Sequence, residues 1–360
     1  MSSKHEVIFN ILRGHDGDLG EIILNRPAAL NALSLDMCRN LNKQLIAWST
    51  EKNIKVIIIK SNSERAFCAG GDIRLLHQYK DIQPEQQIEF FRHEYRLNLT
   101  LHHFPKPYIA FLDGITMGGG VGISLHGSHA IGTENLKLAM PESKIGFYPD
   151  IGASYLLKKT PGKTGLYLAL TGNTIDCHQA YALGLIQQTI PQNQLDNVQE
   201  KLLTSSFDKQ PGDTVTDILA SFAMTNGTET FNNHRDVIDR CFSQKSIEEI
   251  IHALKASSAL WCQQVADDLL KRSPTSLKVI FEQWHRIETM TFDEIMQMDF
   301  DLTQSFLKAH DFFEGVRAAI IDKDQSPQWQ PSSISDIDEE YVAFYFKFKG
   351  EKLDHKENLL

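Results

Sequence analysis

Two glycine-rich turns and two carboxylates are the groups in this chain whose types and spacing suit chemistry. Ala69-Gly70-Gly71-Asp72 and Gly118-Gly119-Gly120-Val121-Gly122 each follow an apolar strand-like run and lead into a helix-like pattern. Glycine lets a backbone N–H approach a ligand with no Cβ in the way, and a helix start adds positive potential. Two such N–H groups aimed at one carbonyl oxygen form an oxyanion hole. The plainer reading of each cluster alone is a tight strand-to-helix turn. Met140-Pro141-Glu142 and, eight residues on, Asp150 place carboxylates in an apolar segment punctuated by glycine and proline. Such a group acts as base or nucleophile near a substrate. The alternatives are helix capping by Glu142 and N-capping by Asp150 of a helix starting at Gly152.

Other motifs fail on inspection. Gly118 to Gly122 does not complete G-x-G-x-x-G, because position 123 is Ile. Pro161-Gly162-Lys163-Thr164 lacks the first P-loop glycine, since position 157 is Leu. Ser124 lacks the second glycine of a nucleophile elbow. His126 with His129, and His102 with His103, have no carboxylate or thiol to complete a metal set, so no metal site is expected.

The elements that must position these groups follow from periodicity. Val7 to Leu12 and Glu21 to Leu24 flank an Asp-Gly turn and predict a hairpin. Ser34 predicts an N-cap for a helix carrying Leu41, Leu45 and Trp48. Val56 to Ile59 and Tyr108 to Leu112 are continuous apolar runs suited to strands buried on both faces. A helix is expected over about Pro84 to His103, short strands near Ala130, Leu138 and Ile186 to Ile190, and helices over Leu166 to Leu170 and Thr174 to Leu183. Strands alternating with helices over 1–192 imply an α/β core of parallel units. Residues 193–325 are mainly helical in period, and 326–360 read as a loop and a short acidic-aromatic tail. No internal repeat is seen.

Composition narrows the function. The chain has 360 residues, 42% hydrophobic and 23% charged, with a net charge of −10. That balance argues against nucleic acid as a partner. Five scattered cysteines, none at metal or redox spacing, suggest free thiols in a reducing compartment. No apolar run reaches membrane-spanning length, and the N-terminus shows neither a secretory nor a transit pattern. These features lead to a cytoplasmic expectation, with no membrane partner.

Taken together, the motifs resemble the crotonase (enoyl-CoA hydratase/isomerase) superfamily. Asn25-Arg26-Pro27 with Leu30-Asn31-Ala32-Leu33, Ala66 to Ile73, Gly118 to Gly122, and Leu170-Thr171-Gly172 with Ala180 to Leu185 stand in the family's order. The resemblance implies a core of repeated β-β-α units wound as a spiral, with a helical C-terminal region. It also implies oxyanion donors at Gly71 and Gly119 and a catalytic carboxylate at Glu142. Coenzyme A would lie along Arg26, Ala28, Leu30, Ala69, Asp72 and Ile73, with Arg74 a phosphate neighbour. Coenzyme A is then part of the substrate, no separate cofactor is implied, and self-association is a family-level expectation.

One departure matters: hydratases of this superfamily carry a glutamate two residues after the triple glycine, and position 122 is Gly. A narrower resemblance, to the 3-hydroxyisobutyryl-CoA hydrolases of valine catabolism, rests on Phe91 to Tyr95, Gly114 to Gly122, Met140 to Asp150 and His310 to Pro327. It excepts the stretch near 205–250. It implies hydrolysis of a short branched 3-hydroxyacyl-CoA thioester, with Glu94, Gly119, Glu142 and Asp150 at the substrate. His93 departs from the acidic residue of some members and is expected at the pocket rim. The alternatives are an enoyl-CoA hydratase or isomerase, and a non-catalytic CoA-binding relative.

Overall fold

The computed structural model describes residues 5–207, 210–225, 232–347 and 350–353. Among these the strands are β1 (Val7–Leu12), β2 (Asp18–Leu24), β3 (Ile54–Ser61), β4 (Ala66–Cys68), β5 (Tyr108–Leu112), β6 (Ile115–Met117), β7 (His129–Gly132), β8 (Lys137–Ala139) and β9 (Gln188–Thr189). β1 and β2 form the expected antiparallel hairpin, with Val7 opposite Leu24 and Leu12 opposite Leu19. The second strand begins at Asp18, three residues before the run that marked it in the sequence.

A six-stranded sheet runs β1-β2-β3-β5-β7-β9, parallel from β2 onward. Its central strands are buried on both faces because successive side chains point opposite ways. Ile57, Ile59, Tyr108, Ala110 and Leu112 enter the larger core, whereas Val56, Ile58, Ile109 and Phe111 enter a second one. That second core is closed by Val198, Leu202, Val215 and Leu219 from the helices Leu195–Thr204 and Pro211–Ser221. Parts of the 205–250 stretch lie outside the described residues.

A smaller parallel sheet runs β4-β6-β8. The chain alternates between the two sheets: β3 then β4, β5 then β6, β7 then β8, each pair followed by helix. This is the repeated β-β-α spiral. Every turn of it adds one strand to each sheet, so the C-terminal ends of β4, β6 and β8 stack side by side. Cys68 pairs with Thr116, and Met117 with Ala139.

The helix Leu35–Thr50 starts at Ser34, whose hydroxyl accepts from the Met37 N–H at 3.1 Å. The helix Pro84–His102 follows the expected bounds to within one residue. The Thr174 to Leu183 expectation shortens to Cys177–Ala182, started by an Asp176/Gln179 capping box, with Gly184 left-handed just beyond its end. Residues 326–360, read as a loop and a short acidic-aromatic tail, also carry a helix. Glu339–Lys347 is helical and buries Val342 and Tyr345, three apart on one face, in the larger core.

Candidate active site

Three strand ends converge. β4 ends in Ala69-Gly70-Gly71, β6 in Gly118-Gly119, and β8 in Met140-Pro141-Glu142. Gly118 has φ 49, and a Cβ on it would stand 2.9 Å from Glu142 Oε1. An L side chain is therefore excluded by backbone and by space. A Cβ on Gly119 would stand 2.2 Å from Glu94 Oε1, so Glu94 abuts that turn from the helix Pro84–His102. The 69–72 loop is stitched to the 30–33 segment by Ala69 N–H to Leu30 O at 3.0 Å, Leu33 N–H to Gly70 O at 2.8 Å and Asp72 N–H to Leu33 O at 2.9 Å. Among the described residues, the N–H groups of Gly71 and Gly119 meet no acceptor. Gly119 opens the helix Gly119–Leu125, where the first N–H groups have no partner within the helix.

Glu94, Glu142 and Asp150 line one cavity of about 80 Å³ beside Ala69, Gly71 and Gly119. Its apolar wall includes Phe90, Phe91, Phe147 and Phe312. All three carboxyls are buried, and burial is the main cause that raises each pKa. Asp150 is pushed up to about 7, with the Tyr95 hydroxyl pulling the other way. Glu142 is raised further by the Asp150 charge, and Glu94 by both Asp150 and Glu142. Three carboxyls so close cannot all ionise in an unliganded pocket. Glu94 Oε1 and Glu142 Oε2 are buried without a hydrogen-bond partner among the described residues, the pattern expected where a ligand completes the set.

Neither carboxylate caps a helix. Glu142 begins the short 3-10 turn Glu142–Ile145, and the helix Ala153–Leu157 after Asp150 has Gly152 at its start and no side-chain cap. Asp150 Oδ2 instead accepts from the Tyr95 hydroxyl at 2.6 Å. Tyr95 also meets Thr303 Oγ1 at 2.6 Å, Thr303 meets the Tyr148 hydroxyl at 2.8 Å, and Tyr148 donates to the Asp299 carbonyl. Asp299 Oδ2 accepts the Gly152 N–H at 2.8 Å, and its Oδ1 accepts from Gln283 at 2.8 Å. Phe292, Met296, Asp299, Thr303 and Phe306 share one face of the helix Phe292–Phe306, which therefore addresses residues 147–155 along its length.

The sequence reading assigned no role to Tyr95, Tyr148, Asp299 or Thr303. Their one sequence signal is an Asp and a Thr at i, i+4 within an otherwise apolar helical face.

The residues expected at coenzyme A divide. Ala69 and Ile73 line the cavity, while Ala28 is exposed and Leu30 half-buried on the adjoining segment. Arg26 is committed internally: it meets Asp72 at 2.7 Å, Glu6 at 3.0 Å and the Ala32 carbonyl at 2.9 Å. Asp72 also caps the helix Ile73–Ile82 through the Leu75 N–H at 3.1 Å. These two charged groups brace the two loops against each other. Arg74 donates to the Ile320 carbonyl at 3.1 Å. His93 stands 3.7 Å from Glu89 and is not among the cavity residues.

At the departure position, a Cβ on Gly122 would lie 2.7 Å from Asn98 Nδ2 and 3.3 Å from Ile151 Cβ. Asn98 and Ile151 fill the space that a side chain at 122 would need.

A family profile described as "Enoyl-CoA hydratase/isomerase" matches residues 19–346. Curated relatives named "3-hydroxyisobutyryl-CoA hydrolase, mitochondrial" include those of Danio rerio, 39% identical over 98% of this chain and 92% of its own length, and Homo sapiens, 37% identical over 97% and 92%. Similar solved structures include a carnitinyl-CoA dehydratase from Mycobacterium thermoresistibile, with TM-score 0.90, 31% identity and coverage of 98% of this chain and 100% of that one. Another is an enoyl-CoA hydratase from Rhodobacter sphaeroides 2.4.1, with TM-score 0.83, 31% identity and coverage of 94% and 97%. With two sheets wound as one spiral and a profile matched across nearly its whole length, the chain belongs to the enoyl-CoA hydratase/isomerase (crotonase) family.

Proposed function

We propose that the chain hydrolyses a short branched 3-hydroxyacyl-CoA thioester, 3-hydroxyisobutyryl-CoA, to 3-hydroxyisobutyrate and free coenzyme A. The observation that carries the reading is Gly122 walled in by Asn98 and Ile151: the two-glutamate addition of water across a double bond has one partner missing. The relatives named for this hydrolysis, similar over nearly the full chain, support it.

The thioester carbonyl oxygen sits between the N–H groups of Gly71 and Gly119, which stabilise the negative charge that grows there; one such donor is typically worth about 3 kcal/mol. Glu142, ionised, attacks the carbonyl carbon or takes a proton from the water that does. By the first route the C–S bond breaks, the CoA thiolate leaves and is protonated, and water then cleaves the glutamyl anhydride. By the second, water adds directly and the same C–S bond breaks. Heavy oxygen from labelled water, found in Glu142 after a single turnover, marks the first route. Asp150 receives the 3-hydroxyl or the water, and Glu94 closes the acyl pocket. No metal or redox cofactor enters either route, so exhaustive chelation is expected to leave turnover unchanged. The curated relatives are named as mitochondrial, whereas the cytoplasmic expectation for this chain rests on its cysteine usage, its lack of a membrane-length apolar run and the pattern of its first residues.

The test is release of CoA-SH, read with a thiol reagent, from 3-hydroxyisobutyryl-CoA. Glu142→Gln is expected to lower kcat by at least about 10²–10⁴-fold while CoA esters still bind. The solved structures named as a hydratase and a dehydratase favour a second reading, water addition to an enoyl-CoA. Efficient loss of crotonyl-CoA absorbance without thiol release would establish that reading instead.

A further inference from the structure

Ile151 is a β-branched residue with φ 56, in the left-handed region, and Gly152 follows it with φ 69. Such a backbone persists only when its surroundings hold it. Here the pair joins Asp150 to the helix Ala153–Leu157, and the single peptide group between them is gripped at both ends, its C=O and its N–H each meeting a side chain from another element. His126 Nε2, at the end of the helix Gly119–Leu125, meets the Ile151 carbonyl at 2.7 Å. A carbonyl only accepts, so the imidazole carries its proton on Nε2. On the other side Asp299 accepts the Gly152 N–H at 2.8 Å. Phe292 stands 4.7 Å from the His126 ring and fills the space beside Gly152, so both grips share one packed wall.

We propose that His126 and Asp299 are positioning residues for Asp150. They hold Ile151 and Gly152 left-handed, so that the Asp150 carboxyl faces the cavity within reach of the Tyr95 hydroxyl. His126 touches neither the cavity nor the reacting atoms and acts only through the Ile151 carbonyl. The inference rests on the hydrolase reading for the role of Asp150, whereas the grip on the turn stands on geometry alone.

The experiment is a double-mutant cycle. His126→Phe keeps the ring packing and removes the donor; His126→Gln restores an N–H near the Nε2 position. His126→Phe is expected to lower kcat for 3-hydroxyisobutyryl-CoA by about 10- to 100-fold, the scale of a small misplacement at a reacting centre. In an Asp150→Asn background the same change costs less than about twofold, because its effect passes through Asp150. His126→Gln stays within about threefold of wild type. Equal losses in the two backgrounds, or a His126→Gln enzyme as poor as His126→Phe, overturn the proposal. Should His126→Phe not fold, His126→Asn, too short to reach Ile151, takes its place in the same cycle. Absence of thiol release by the wild type overturns the hydrolase reading alone. The grip is then read by hydrogen exchange over residues 148–156, which accelerates in either donor-less variant if the proposal holds and is unchanged if it does not.

Discussion

Gly71 and Gly119 reach the pocket by a route unlike that of Asp150. The two glycines hang on neighbouring strand ends of one small sheet, and what they offer is backbone. Asp150 lies eleven residues beyond β8, just before a strained turn, and its carboxyl meets the Tyr95 hydroxyl, which Thr303 holds in turn, while Asp299 grips the turn that follows. The first wall of the pocket is local and comes with the motif. The second is tertiary: without the helix Phe292–Phe306 its carboxyl has no fixed direction. The comparison teaches that the C-terminal helices complete the chemistry of the spiral core as well as covering it.

Beyond the loss of Glu142 itself, the largest expected effect breaks the first wall. Gly119→Ala places a Cβ 2.2 Å from Glu94 Oε1, so either the turn or a buried carboxyl must move. A loss of about 10²-fold in kcat/KM is expected, with the fold intact by circular dichroism; near wild-type turnover would mean that the approach of Glu94 to Gly119 is not needed.

Next comes the charge of the second wall. In the proposed hydrolysis Glu142 acts ionised, and burial and the Asp150 charge both raise its pKa. The acid limb of kcat/KM is therefore expected above the ordinary carboxylate range. Asp150→Asn removes one of the two causes, so the limb moves to lower pH. Turnover of 3-hydroxyisobutyryl-CoA falls, and its preference over isobutyryl-CoA narrows if Asp150 reads the hydroxyl. Equal slowing of both esters assigns Asp150 to the water. The sign for stability is the same. Asp150 binds its proton more tightly folded than unfolded, so stability falls as pH rises from about 3.8 towards about 7. A pH–Tm profile of Asp150→Asn flatter than that of wild type checks this.

The smallest effect sharpens the comparison. Thr303→Val keeps the shape and removes the hydroxyl between Tyr95 and Tyr148, whose own donations to Asp150 and to the Asp299 carbonyl remain. A cost of about 0.5–1.5 kcal/mol in thermal or denaturant unfolding is expected, with kcat reduced less than tenfold. A loss as large as that of Asp150→Asn would mean that the hydroxyl chain does more than orient.

The same division explains what was legible in the sequence. Gly71, Gly119 and Glu142 lie within a few residues of apolar strand runs, so periodicity and glycine spacing expose them. Asp299 and Thr303 act on partners some 150 to 200 positions away, and nothing in their neighbourhood names those partners. Arg26 and Asp72 were readable as charges near the substrate, but not as a pair at 2.7 Å from each other. The spiral repeat left no trace in residue identity because what recurs is strand, turn and strand, which many apolar sequences satisfy. Short strands such as β4 and β6, with three residues each, carry too little period to be found. The helix Glu339–Lys347 was hidden by its acidic start and aromatic content.

The stacked ends of β4, β6 and β8 also determine where the chain can tolerate a change of length. Each spiral turn hangs one candidate site group from an equivalent strand end, so strand pairing sets the register of the three. One residue inserted at 66–71, 115–119 or 137–142 would slide a single group by about 3.3 Å past the other two. The same insertion at the link between the helices Ile73–Ile82 and Pro84–His102 moves none of them, because the pairing of Cys68 with Thr116 resets the alignment. Variation in length among proteins built this way therefore belongs in the returns, and the strand ends behave as a vernier that cannot lose a mark.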